Sequence, residues 1–245
     1  MRNILFKKMR LISVTIFVMG AITASLAYAI DYTRRPNGFT MTSRQVHTPT
    51  DGAPVLLADK ERYQKSDGSW RLITTYYNSD GTIRKVDNAF GQLGRGVFQV
   101  NEKARLLNLI SPMSPQAHVV SASEMRKDPN FIREDFVLGY KTFVSRQPGE
   151  DGAYAEAHRA PALQGMTIKI IFSSEAGTTV IEPTKIVLGE PSETIFTAMP
   201  DYQVNYLDFE NKIQAMEELG KHETAKQLRQ ELEKIKSKHR QSKVN

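Results

Sequence analysis

The side chains most often used in catalysis or metal binding are few in this 245-residue sequence and are scattered along it. No cysteine occurs, which excludes thiol catalysis, zinc–thiolate sites and disulfide exchange. The five histidines, none of which pairs with another at metal-ligand spacing, are His47, His118, His158, His222 and His239. His222-Glu223 begins like the helix of a zinc protease, but Lys226 occupies the place of the second histidine. We therefore expect structural or surface histidines and no metal site.

Glycine-rich and acidic stretches also lack the context that a reaction requires. The segment "GQLGRG" at 91–96 reverses the spacing of the dinucleotide fingerprint and precedes a short strand, which favours a hairpin turn. The acidic neighbours would point to opposite faces of a strand or lie in turns, so paired-carboxylate catalysis has no basis. They are Glu134 with Asp135 and Glu150 with Asp151. The sequence predicts that the protein is not an enzyme and uses no cofactor.

The first 29 residues have the three parts of a secretory signal peptide. Four basic residues precede an apolar run from Leu11 to about Ile22, and Ala27-Tyr28-Ala29 forms a small-x-small cleavage site. An uncleaved anchor is the alternative, but the run is shorter than the roughly 20 residues of a spanning helix. We predict cleavage after Ala29 and a periplasmic chain that has no transmembrane segment after cleavage and no lipid anchor.

The positive charge of the chain is concentrated in that leader. The whole sequence has a formal net charge of +6, but residues 30–245 carry 29 basic and 27 acidic side chains, a net charge of +2. Binding to nucleic-acid phosphates needs a strong, clustered positive field. The sequence therefore predicts no nucleic-acid partner.

The chain from Phe39 to about residue 205 reads as strands separated by short turns. Asp67-Gly68 and Asp80-Gly81 lie between runs rich in Tyr, Ile, Thr and Trp, which predicts two hairpins. Pro183 interrupts a long strand and indicates an edge or a bend. About ten strands joined by tight turns predict a mainly β (α+β) fold, a curved antiparallel half-barrel meander with short covering helices.

The last 40 residues predict a helical hairpin instead. Gly220 is expected to end the first helix as its C′ residue. Apolar residues at intervals of three and four mark the second helix, and the basic tail after Lys234 is expected to fray. The predicted organisation is a signal peptide at 1–29, a half-barrel domain at 30–206 and a helical extension with a basic tail at 207–245.

Large apolar side chains on the strands are the candidate ligand-binding residues. In "WRLITTYY" and "MTIKIIFSS" they alternate, and "DFVLGYKTFVSRQ" is taken as one continuous strand with Phe136, Leu138 and Tyr140 on one face. A curved sheet with few covering helices leaves a concave apolar surface, which is an apolar ligand site by default. The candidate residues are Trp70, Leu72, Tyr76, Phe98, Phe136, Leu138, Tyr140, Ile168, Ile170, Phe172, Ile195 and Phe196.

The chain between about 39 and 206 resembles the periplasmic lipoprotein-sorting proteins of the LolA type. The resemblance rests on the hairpin "YQKSDGSWRLITTYYNSDGTIRKV", the pieces "FVLGYKTFVSR", "HRAPAL" and "MTIKIIF", and the closing segment "EPSETIFTAMPDYQV". It implies an open half-barrel sheet capped by helices over a cavity that holds lipid or lipoprotein acyl chains. In such a fold the closing segment, with Pro191 ending a strand and Ser192 capping one helical turn, would act as a lid and latch.

Three functions follow from these patterns. The first is an exported carrier or sensor that shelters lipid or lipoprotein acyl chains in the apolar sheet. The alternative is a non-catalytic envelope scaffold that binds a partner protein through the helical hairpin at 207–234. An enzyme that uses scattered carboxylates is the third, and no acid–base pair in the sequence supports it.

Overall fold

The computed structural model describes residues 30–31, 38–92, 95–113, 116–117, 121–197 and 202–241. The predicted signal peptide, and Met199 and Pro200 of the closing segment, lie outside these residues. The described strands are β1 (Ile30–Asp31), β2 (Phe39–Pro49), β3 (Val55–Gln64), β4 (Trp70–Tyr77), β5 (Ile83–Gln92), β6 (Gly96–Asn101), β7 (Leu106–Ser111), β8 (Gln116–Ala117), β9 (Phe131–Val137), β10 (Tyr140–Pro148), β11 (Tyr154–Ala160), β12 (Met166–Ser174), β13 (Gly177–Leu188) and β14 (Gln203–Asn205). The helices are α1 (Ala122–Arg126), a 3-10 turn (Pro161–Leu163), α2 (Thr194–Thr197), α3 (Leu207–Glu218) and α4 (His222–Gln241).

Twelve of these strands form one sheet in the order β14-β7-β6-β5-β4-β3-β2-β13-β12-β11-β10-β9. Two antiparallel meanders, β2 to β7 and β9 to β13, are joined where β2 pairs with β13 from Phe39 and Leu188 to Pro49 and Gly177. Only β14, which pairs with β7, is parallel to its neighbour among these strands. The sheet is curved and open, not closed into a barrel, so the predicted mainly β meander is confirmed.

The two Asp-Gly turns form as the sequence predicts. Gly68 adopts a φ of 96°, and the Asp67 carboxylate accepts a 2.7 Å hydrogen bond from the Ser69 backbone N–H. The turn at Asp80-Gly81 has a φ of 82° at its glycine. These positive φ angles favour glycine, which explains why a local sequence signal is enough to place both hairpins.

The predicted continuous strand around Leu138 is wrong, because the chain reverses there. Leu138 and Gly139 both have positive φ, 49° and 81°, which makes a two-residue turn between β9 and β10. Phe136 consequently pairs with Lys141 and lies on the opposite face from Tyr140. Leucine is an unusual residue at positive φ, so the periodicity gave no warning of the turn.

Pro183 marks a bend inside the sheet. The register between β13 and β2 shifts between Pro183 and Lys185, and β13 lies between β12 and β2. The predicted bend is therefore confirmed, and the pairing of β13 with β12 ends at Ile181, so Pro183 is paired on its β2 side only. A proline that cannot donate to the ladder is accommodated at the irregularity.

The helical hairpin forms, and its second helix is longer than predicted. Gly220 has a φ of 72°, and the Lys221 N–H donates to the Met216 carbonyl at 2.9 Å, so the predicted helix end is confirmed. The expected fraying after Lys234 is wrong, since α4 continues to Gln241. His239 explains the extension, because its ring lies 5.6 Å from the Phe98 ring and 2.7 Å from the Tyr206 hydroxyl.

Two hydrophobic clusters form among the described residues, in different parts of the sheet. The first joins β6 and β7 to α3 and α4 through Phe98, Val100, Leu107, Leu109, Phe209, Ile213, Ala225, Leu232 and Ile235. The second joins β2, β11 and β12 to the 3-10 turn through Phe39, Met41, Ala160, Leu163 and Ile168. None of the described helices combines the length and apolar character needed to cross a bilayer.

The contact between α4 and the sheet can be tested with Leu232→Ala. Leu232 is 3% exposed in the first cluster, so its truncation should lower the free energy of unfolding by about 2–5 kcal/mol. Leu219→Ala is the matched control, because Leu219 is 68% exposed and its loss should change stability by at most about 0.5 kcal/mol. Urea unfolding measures both. Equal effects of the two substitutions would contradict the packing of α4 against the sheet.

Candidate functional site

The side chains of strand β4 define the two faces of the sheet. We call the side that carries Trp70, Leu72, Thr74 and Tyr76 the Trp70 face, and the side that carries Arg71, Ile73, Thr75 and Tyr77 the Arg71 face. Side chains of a strand alternate between faces, and residues paired across strands share a face. The pairing registers therefore extend both faces across the sheet.

Five candidate residues on the Trp70 face lie outside both hydrophobic clusters. The row of paired residues through Tyr76 continues across Ala58, Gln45, Ile181 and Ile170. Trp70, Leu72 and Phe172 lie on this face by alternation along β4 and β12. Trp70 is buried over Gly91, where a Cβ would lie 2.3 Å from the indole nitrogen. The other four, Leu72, Tyr76, Ile170 and Phe172, are partly buried and belong to neither hydrophobic cluster.

Phe98 lies on the other side of the sheet. It pairs with Phe90, which pairs with Arg71, so Phe98 belongs to the Arg71 face. The Phe98 ring stacks on Phe90 at 5.0 Å and is 1% exposed beneath α3 and α4. Phe98 is therefore core, and the strand pattern could not show which face the helices cover.

The other strand candidates do not add accessible apolar surface to this group, although Ile168 lies on the Trp70 face, where it packs with Phe39 and Met41. Ile168 is buried in the second hydrophobic cluster, and Tyr140 packs against that cluster. Phe136 and Leu138 are 67% and 52% exposed at the β9–β10 hairpin. The reversal at Leu138 removes the alternation on which their grouping with Tyr140 was based.

Helix α2 brings Ile195 and Phe196 against the Arg71 face. The Arg71 guanidinium donates a 2.6 Å hydrogen bond to the Ile195 carbonyl and another to the Asn88 side chain at 3.0 Å. A cleft of about 140 Å³ lies between α2 and this end of the sheet, lined by Arg71, Phe90, Ile195 and Phe196 among others. Ile195 and Phe196 therefore do not cover the Trp70 face.

Glu190 fixes the start of this closing segment. Its carboxylate accepts hydrogen bonds from the backbone N–H groups of Gly38 and Ser66, both at 3.0 Å. Burial alone would raise the pKa of Glu190, but the hydrogen bonds from Ser66 and Gly38 outweigh it and hold the pKa below its usual value. The latch predicted for this segment thus has a polar anchor, which the sequence reading did not identify.

Lys60 lies in the middle of the Trp70 face and is absent from the predicted site. It pairs with Ser43 and Thr74, each 5% exposed, and the residues described here provide no hydrogen bond or ion pair to its ammonium group. Burial lowers the pKa of Lys60 to about 8. The β3 sequence "VLLADKERYQ" has four consecutive charged residues, which place charges on both faces of the strand. The alternation of apolar and polar residues that would indicate a binding strand is therefore missing.

Other buried polar groups include a carboxylate that is held by two arginines, and a histidine whose ring nitrogens have no hydrogen-bond partner among the described residues. Glu156 is 3% exposed and lies between Arg133, at 3.1 Å, and Arg146. His158 is also buried, and burial lowers the pKa of its ring, which favours the neutral form. Within the described ranges no group of three possible metal ligands comes together.

Comparisons with solved structures give low-identity matches. An uncharacterised conserved protein from Thermus thermophilus aligns with a TM-score of 0.43 and 10% identity over 69% of this chain and 90% of its own. A LolA superfamily protein from Nitrosomonas europaea (TM-score 0.32, 13% identity) covers 71% of this chain and 96% of its own. The lipoprotein LppX from Mycobacterium tuberculosis (0.32, 12%) covers 71% and 97%.

One of these structures bears the name of the LolA superfamily, the family that the sequence resembles. With TM-scores below 0.5, the matches carry no argument about ligand or partner. No protein-family model and no curated protein matches the sequence.

Replacing Glu190 by glutamine should loosen the latch. The ionised Glu190 carboxylate contributes to the free energy of unfolding. This contribution is fully present above the unfolded pKa of about 4.5 and is lost as the pH falls through the lower folded pKa. Hydrogen exchange at Gly38 and Ser66 should therefore be about tenfold faster in Glu190→Gln at pH 7. Glu193→Gln is the control, because Glu193 binds the Lys65 side chain instead of these amides. Unchanged exchange in Glu190→Gln would refute the anchor.

Replacing Lys60 by methionine should stabilise the fold at neutral pH. The folded pKa of about 8 lies below the unfolded 10.5, so keeping the ammonium charged costs stability below pH 8, and this cost disappears as the pH rises to 10.5. We expect Lys60→Met to gain on the order of 2–3 kcal/mol at pH 7 and little at pH 10.5. Urea unfolding at both pH values, with exposed Lys185→Met as control, measures the difference. A gain that does not depend on pH would contradict the burial of a charged Lys60.

Proposed function

We propose that this protein is an exported binding protein that shelters lipid or lipoprotein acyl chains against the Trp70 face, as a carrier or a sensor. One observation carries the proposal. Leu72, Tyr76, Ile170 and Phe172 share this face, lie outside both hydrophobic clusters and remain partly accessible. Apolar side chains that the fold leaves incompletely covered are the usual lining of an apolar ligand site.

The energy of such binding is sufficient without any reactive group. Each buried methylene contributes about 0.8 kcal/mol, so covering part of an acyl chain offsets the cost of association. The proposed role is therefore non-enzymatic. Helices α3 and α4 pack on the Arg71 face, so they do not cover the apolar side chains of the Trp70 face. A bound acyl chain would cover these side chains instead.

The alternative function as a scaffold was suggested by an apolar stripe on the helical hairpin, which could bind a partner if it were exposed. The apolar stripe of the helical hairpin packs inward, where Ile213, Leu232 and Ile235 are each at most 5% exposed. A partner of residues 207–234 would have to recognise their polar outer surface.

The proposal predicts that a polar substitution on the Trp70 face weakens acyl binding. Leu72→Gln should reduce affinity for a fluorescent fatty acid by about tenfold or more, since it removes contact with roughly two methylenes. Ile73→Gln is the matched control, because Ile73 is the next residue of β4, is also partly buried and points to the Arg71 face. Fluorescence titration measures both variants.

Native mass spectrometry of gently purified protein gives an independent test. Bound lipid should be detected in the unmodified protein and reduced in Leu72→Gln. Absence of co-purified lipid together with no binding of the fatty-acid probe would exclude the proposed function.

A further inference from the structure

A second feature of the Trp70 face is a cation that forms no hydrogen bond or ion pair with any residue in the described part of the chain. Lys60 lies at the centre of this face, between Ser43 on β2 and Thr74 on β4. Leu72 and Tyr76 are its diagonal neighbours on β4, and such neighbours lie about 7–8 Å away, within reach of a long side chain. The ammonium group is therefore next to the apolar surface that the proposed function assigns to acyl chains.

The charged groups around Lys60 do not neutralise it. The residues that β2 and β13 present to this part of the face are uncharged: Met41, Ser43, Gln45, Ile181 and Pro183. On β3, the Arg62 guanidinium lies 5.0 Å from the Trp70 ring and donates to the Gln64 side chain at 2.9 Å. On β5, the Asp87 carboxylate pairs with Lys85 at 2.8 Å.

An unpaired ammonium group on a largely dehydrated surface is unfavourable in the empty protein. A ligand anion that pairs with Lys60 removes this penalty, and the pairing is stronger than it would be in water because less solvent screens it. The free protein can retain such a lysine at a cost that binding recovers. This is an arrangement for selecting a ligand by charge, which a wholly apolar face cannot do.

We propose that Lys60 binds the anionic group of the acyl-chain ligand, a fatty-acid carboxylate or a lipid phosphate, while the chain lies along Leu72, Tyr76 and Ile170. The inference rests on the proposed function and adds the chemical class of the ligand to it. Lys60 then fixes the position of the head group, and the apolar side chains of the neighbouring rows, Leu72 on one side and Tyr76 on the other, receive the chain.

The test compares an acid with its neutral ester. Fluorescence titration with cis-parinaric acid and with its methyl ester should show at least a tenfold preference for the acid in the unmodified protein. Lys60→Met should lose this preference by weakening acid binding, with little change for the ester. Lys185→Met, an exposed lysine on the opposite face of β13, should keep the preference.

Displacement of the bound probe distinguishes the two sources of the anion. Stronger competition by palmitate than by lysophosphatidic acid would assign a carboxylate, and the reverse order would assign a phosphate. A neutral monoacylglycerol should displace the probe poorly from the unmodified protein. From Lys60→Met it should displace the probe as well as the acids do.

The outcomes separate this inference from the proposed function. Equal binding of acid and ester, or a preference that survives Lys60→Met, would overturn the role of Lys60 and leave acyl binding intact. Binding of neither probe would overturn both. Circular dichroism and the urea midpoint show that the variants are folded, and Lys60→Met is expected to be at least as stable as the unmodified protein at pH 7.

Discussion

An open sheet of twelve strands presents two faces, and the segments available to cover them are short. The helices α3 and α4 cover one end of the Arg71 face, where Phe98 and Leu109 become almost fully buried. The 3-10 turn covers another part of the sheet, around Phe39 and Ile168. Burial of apolar area is the main favourable term in folding, so the chain gains most of its stability at these two places. The middle of the Trp70 face belongs to neither and keeps its apolar side chains partly accessible.

The connection between the sheet and the C-terminal helices is held by polar contacts. Arg71 binds the Ile195 carbonyl and Asn88, and the Asn88 amide donates to Glu102 at 2.9 Å. Glu102 in turn accepts a hydrogen bond from the Tyr202 hydroxyl. Together with Glu190 at the other end, these contacts tie the chain on both sides of α2 to the strands. A segment held mainly by hydrogen bonds can open at lower cost than one held by a buried core.

Charge on the Trp70 face distinguishes this sheet from a simple hydrophobic layer. Arg62 is engaged with Trp70 and Gln64, whereas Lys60 is flanked by the uncharged Ser43 and Thr74. The two cations are two residues apart on one strand, but their environments differ because the cross-strand neighbours differ. Lys60 lies in a polar row with Ser43 and Thr74, and the rows beside it carry Leu72 and Tyr76, which is the arrangement on which the proposed pairing with an anionic ligand rests.

The sequence by itself determined the features that depend on neighbouring residues. Asp-Gly pairs predict the hairpins because positive φ is a local requirement, and Gly220 predicts the helix end for the same reason. Alternation along β4 correctly groups Trp70, Leu72 and Tyr76, and alternation along β12 groups Ile170 with Phe172. Both groups lie on the Trp70 face. At Leu138 the same alternation fails, since leucine occupies a turn position that is rare for it.

Tertiary structure alone decided which face each element covers. No local pattern distinguishes Phe98, buried under α4, from Phe172, which is left partly accessible, because each follows an apolar residue and precedes a polar one on a strand. Lys60 was equally hidden, since its environment is made by β2 and β4 and not by its neighbours in β3. Local sequence therefore fixes turns, periodicity and helix ends, whereas the choice between core and binding surface depends on contacts between residues far apart in the chain.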